Sequence, residues 1–67
     1  MKAYRVVKRN RMENNIEEVI RINREKAEKE VAEIINKYND AKAKGDGIHW
    51  AEVIYKDAWI EEINIED

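Results

Sequence analysis

The sequence predicts an α+β fold of order β-α-β-β, with one long amphipathic helix packed on a three-stranded antiparallel sheet. Three observations carry this expectation. A valine-bearing segment at the N-terminus has strand character, an apolar stripe at helical spacing follows it, and an alternating aromatic and isoleucine stretch closes the chain after a pair of glycines. At 67 residues the chain reads as a single small domain, 1–67, near the lower limit for a self-sufficient core.

Residues 2–9 read as the first strand. Val6 and Val7 favour extended backbone, and the interleaved lysines and arginines suit an exposed sheet edge. The expected helix covers 14–44. Met12, Ile16, Ile20, Ala27, Val31, Ile34, Tyr38 and Ala41 form its stripe, with Asn23 filling the one gap, at about 3.6 residues per interval. Asn14 or Asn15 supplies an N-cap, with Glu17 or Glu18 as the reciprocal acid. Glu17–Arg21, Glu25–Lys29 and Glu33–Lys37 are spaced to support its exposed side. Gly45 ends it, after Lys42 and Lys44.

Residues 48–65 read as a β-hairpin turning at Lys56-Asp57. Ile54 then faces Trp59, Trp50 faces Ile63 and Ile48 faces Ile65, all on one side. Val53, Tyr55 and Ile60 take the other side. A second helix over His49 to Ile63 is the competing reading, but it scatters the aromatic residues around the circumference. Pairing the first strand with the last gives strand order 2-3-1, with 58–65 central. It also sets the basic N-terminal strand beside the acidic tail of Asp57, Glu61, Glu62, Glu66 and Asp67. The helix is expected to cover the face bearing Trp50, Trp59 and the isoleucines.

Charged residues make up 42% of the chain, yet the net charge is only −2, which argues against a strong generic nucleic-acid binder. The sequence contains no serine, threonine or cysteine, so hydroxyl and thiol nucleophiles and disulfides are excluded. His49 is the only histidine. No cofactor or metal site is expected from it, because a metal needs several converging ligands. No run is apolar enough to cross a membrane, and a cytoplasmic location is the expectation. The wealth of isoleucine, lysine and asparagine matches AT-rich codons and so points to a bacterial or phage source.

Three functional readings follow. The leading one is a non-enzymatic protein-interaction module that forms a homodimer and binds a further, unidentified protein. About thirty helical residues span about 45 Å, whereas the strands span about 25 Å, so the overhang calls for a second chain. Asn23, Val31, Ile34 and Tyr38 on the helix, with Val53 and Ile60 on the outer sheet face, are the candidate contacts. The second reading is a nucleic-acid-binding accessory protein that uses Lys2, Arg5, Lys8, Arg9 and Arg11 on phosphates. The third is a carboxylate-based metal or hydrolase site at Glu52 and Glu61, which the hairpin sets opposite one another. Arg5 or Arg9 neutralising that pair is its simpler explanation.

Overall fold

A computed structural model describes residues 1–66. Five elements follow in order: strand β1 (Lys2–Asn10), strand β2 (Ile16–Arg21), helix α1 (Arg24–Lys44), short helix α2 (Gly47–Ala51) and strand β3 (Tyr55–Asn64). The α+β class and the antiparallel three-stranded sheet stand. The order of elements is corrected from β-α-β-β to β-β-α-α-β, and the sheet order from 2-3-1 to β2-β1-β3. The basic first strand, not 58–65, is central.

The first correction has a local cause. The asparagines after β1 build a turn instead of capping a helix. Asn10 Oδ1 accepts from the Met12 and Glu13 amides at 2.8 and 2.9 Å. The Asn10 carbonyl accepts from the Asn14 amide, and Asn14 adopts φ 63, a left-handed conformation that asparagine tolerates. The chain therefore reverses, and residues 16–21 pair with β1, setting Val19 against Val6 and Glu17 against Lys8.

The helix starts later, at Arg24. Asn23 is not a polar interruption of a buried stripe. It is the N-cap, accepting from the Lys26 amide at 3.0 Å. The C-terminal expectation holds: Gly45 takes φ 66 and its amide donates to the Ala41 carbonyl at 2.8 Å. At 21 residues the helix is about 31 Å long, close to the length of β1 or β3. The mismatch that called for a second chain is removed. The helix is nevertheless offset along the sheet. Its first half lies over β1 and β3, and its second half runs beyond them, where α2 folds back against it. Tyr38 and Trp50 meet there edge to face, with ring centroids 5.4 Å apart.

The expected hairpin at 48–65 is also replaced. Asp46 caps α2 by accepting from the His49 amide at 2.8 Å, which commits His49 and Trp50 to a helical turn. Only β3 remains extended, paired along its whole length with β1. Side chains facing α1 are Tyr4, Val6 and Lys8 of β1, Val19 and Arg21 of β2, and Ala58, Ile60 and Glu62 of β3. Trp59 and Ile63 project to the uncovered side. The face assignment of the last strand is thus inverted: Ile60 sits under the helix and Trp59 does not. Val53 is buried in the turn before β3, and Tyr55 faces the helix side, so neither belongs to an outer sheet face.

The interior is small. Its buried apolar residues are Ala3, Val6, Val7, Ala27, Ala41, Val53 and Ala58, and Val6 is the largest side chain fully removed from solvent. Isoleucines and both tryptophans stay partly or largely exposed. The shape agrees. The radius of gyration is 13.6 Å, against about 11 Å for a compact domain of this length. The accessible surface is 5016 Å², against about 4,450 Å² for a compact monomer of this mass.

Candidate interaction surface

The uncovered face of the sheet has a polar centre. Arg9 lies over the Trp59 ring, 5.5 Å from its centroid. Trp59 Nε1 donates to Glu61 at 3.2 Å, and Arg5 Nη1 donates to the other Glu61 oxygen at 3.0 Å. Glu18 flanks Arg5 on the β2 side at 3.9 Å. This ladder neutralises itself across the three strands and leaves the face with no cationic surplus, since Arg5 and Arg9 are set against Glu18, Asp57 and Glu61.

The apolar surface lies to one side of that ladder, on β2. Ile16, Ile20 and Ile22 are 54%, 47% and 58% exposed, and Met12 in the preceding turn is exposed as well. β2 is an edge strand, with β1 on one flank and no strand of the described residues on the other. Helix α1 leans over β3 and β1 and only brushes β2. One sheet edge therefore combines unpaired backbone with large aliphatic side chains. The other edge, β3, carries Asp57, Glu61 and Glu62 against one lysine, a charge pattern that blunts pairing.

The candidate self-association residues sit elsewhere. Val31, Ile34, Tyr38 and Ile60 are half-buried and Val53 is buried, all within the seam that α1 forms with β3 and α2. Asn23 is exposed at the cap. The isoleucines of β2 escaped sequence reading because they fell on the helical stripe. The signal that finds them is the segment 16–22, which is bracketed by Asn15 and Asn23 and ends in the period-two run Ile20-Arg21-Ile22.

The five basic residues of the N-terminal segment are all engaged inside the chain. Lys2 reaches Glu62 at 3.6 Å and Arg5 reaches Glu61. Lys8 bonds Glu30 at 2.9 Å beneath the helix and lies over the Tyr55 ring. Arg9 stacks on Trp59. Arg11 donates to the Val53 and Trp50 carbonyls at 3.1 and 3.0 Å and stacks on Trp50, closing the C-terminal end of α2. The expected pairing of the basic strand with the acidic one is seen at Lys2–Glu62 and Arg5–Glu61; Asp67 lies outside the described residues.

Glu30 is the most connected acid. Arg21 holds it through Nε and Nη2 while Lys8 approaches from below. The hydrogen bond from Arg21 and, after it, the contact with Lys8 hold its carboxyl below the usual range, with partial burial opposing them. The Tyr55 hydroxyl is pushed up, first by its interaction with Glu17. Asp46 is held low by the His49 amide and then by the His49 ring, whose Nδ1 lies 2.6 Å from Asp46 Oδ1.

Glu52 and Glu61 do not oppose one another. Glu52 follows α2, whereas Glu61 lies on the uncovered sheet face bonded to Arg5 and Trp59. The shared-proton geometry is therefore not formed, and of the two acids it is Glu61 alone that Arg5 neutralises. Among the described residues no group of three or more His, Asp or Glu side chains converges as a metal site. A shallow cavity of about 240 Å³ opens between α1 and the start of β3, lined by Lys8, Glu30, Ile34, Val53 and Tyr55. It falls below the size typical of small-molecule sites. No helix of the described residues is long and apolar enough to cross a membrane. No protein family, curated protein or solved structure matches this chain.

Proposed function

We propose that this chain is a small non-enzymatic protein-interaction module that self-associates. One observation carries the reading: two isoleucines on an unpaired edge strand and a third just past its end stand in solvent, while the interior contains nothing larger than valine fully buried. Apolar side chains of that size normally supply a small domain's core, and here they lie where only another polypeptide can cover them. The extended shape and the surplus of exposed surface support the same reading.

Light scattering across a wide concentration range tests it. The expected outcome is a mass that climbs from the 8.0 kDa of the monomer towards twice that value. A monomer mass at every concentration removes the reading. The nucleic-acid alternative draws no support from the N-terminal cations, since each already has a partner within the chain. A strongly salt-dependent affinity for an oligonucleotide would restore it.

A further inference from the structure

We infer that the occupant of the β2 edge is the same strand of a second copy, paired antiparallel about a two-fold axis through Val19. The inference rests on the self-association proposed above and specifies its geometry.

The register follows from the backbone. The Asn10 amide donates to the Asn15 carbonyl, and six pairs continue the ladder from Arg9↔Ile16 to Tyr4↔Arg21. In an antiparallel ladder, alternate residues turn their amide and carbonyl to the neighbour and the rest turn them outward. On β1 the even-numbered residues therefore face β2 and the odd-numbered residues face β3. The bonds from Arg11 to Ile54 and from Ile65 to Met1 agree with this phase. On β2 the residues bonded to β1 are Glu17, Val19 and Arg21. Those turned to the free edge are Ile16, Glu18, Ile20 and, just past the strand, Ile22.

A second β2 must therefore meet this one outward residue to outward residue. Registers that oppose an even residue to an odd one are excluded. Among those allowed, centring on Glu17 or Glu18 places two like carboxylates face to face on the axis. Centring on Ile20 sets Glu17 against the polar cap residue Asn23 and runs Ile16 into the helix start. Centring on Val19 sets Glu17 against Arg21 of the partner subunit, twice by symmetry. It sets Ile16 against Ile22 of the partner subunit, also twice, and Val19 against its own copy, with Glu18 against Ile20 of the partner subunit as the one mixed pair. Both ion pairs and the valine pair then occupy the positions without inter-strand hydrogen bonds, where side chains approach most closely. Arg21 spends Nε and Nη2 on Glu30, which leaves the Nη1 donors for a second carboxylate. The two helices lie on the same side of a continuous six-stranded sheet, and their lean away from β2 leaves room at the join. Six residues per strand make a small interface, so the dimer forms reversibly in the concentration-dependent regime.

Symmetry supplies the test. In Glu17→Arg every opposed pair becomes Arg with Arg, and in Arg21→Glu it becomes Glu with Glu. Each variant alone is expected to dissociate at least about tenfold more readily than the parent. An equimolar mixture of the two restores both Arg–Glu pairs, so the mixture is expected to recover the dimer mass in light scattering. A change confined to one fold cannot be repaired by mixing. Because the chain lacks cysteine, Val19→Cys gives an independent reading. Its thiols meet on the axis within disulfide reach, so mild oxidation is expected to yield a covalent dimer. A parent that dimerises while the mixture shows no recovery and Val19→Cys does not crosslink overturns this geometry and leaves self-association standing. Crosslinking of Trp59→Cys in place of Val19→Cys shows association through the open face and also overturns it. A parent that stays monomeric removes both.

Discussion

Arg11 carries more of the fold than its place in a basic segment suggests. Its guanidinium joins two carbonyls at the end of α2 and covers Trp50, tying the β1–β2 turn to the far half of the molecule. Arg11→Ala is expected to cost about 1–3 kcal/mol in urea unfolding. Lys2→Ala, at an exposed pair, is expected to cost less than about 0.5 kcal/mol. Glu30 gives a pH-dependent counterpart. Replacing it by Gln weakens both Arg21 and Lys8, with an expected loss of about 1–2 kcal/mol at neutral pH. Because the folded carboxyl titrates below its ordinary value, its contribution is complete above about pH 4.3 and fades as pH falls through the folded value. Parent and Glu30→Gln unfolding curves are therefore expected to converge in acid. A gap that stays constant with pH would show that Glu30 acts through packing alone.

At the scale of elements, α1 is held at both ends by residues of known cost. Asn23→Ala removes the acceptor for the Lys26 amide and is expected to destabilise by about 1 kcal/mol, with Asn23→Asp restoring most of it. Gly45→Ala meets no neighbouring atom, so its expected loss of about 1 kcal/mol comes from the left-handed backbone alone. The C-terminal end of α1, the first strand and its pairing with the last strand were all legible in the sequence. They rest on a glycine at a left-handed cap, a valine pair and opposite charges across strands. β2 was hidden. Ile16, Val19 and Ile20 satisfy a helical period, Glu17 and Arg21 are spaced as a helical ion pair, and Asn14 precedes them as a cap would. Non-local pairing with β1 decided the matter, and in the short-range spacing only the period-two run Ile20-Arg21-Ile22 points to a strand. The last strand shows a different kind of ambiguity. Its alternation was visible, but which face meets the helix depends on its partner, and β1 rather than residues 48–54 proved to be that partner. The candidate surface is hidden for the same reason as β2: Ile16 and Ile20 stand four residues apart, as on one face of a helix.

For the whole molecule, the distribution of apolar volume is the governing fact. The chain has no phenylalanine and only two tryptophans, and neither tryptophan is buried. Seven alanines and valines make the core, so the monomer is expected to sit at the low end of domain stability. Pairing β2 with a second copy extends the sheet from three strands to six, satisfies the free backbone of its edge and gathers the isoleucines of both copies into one patch on the uncovered face. Amide exchange on β2 tests that claim most directly, because alternate amides answer differently. The Val19 amide is bonded to β1 and is expected to stay protected at every concentration. The Glu18 and Ile20 amides face the free edge, and their exchange is expected to slow as concentration rises. Glu18 and Ile20 amides that exchange at the same fast rate from dilute to concentrated solution would contradict the account.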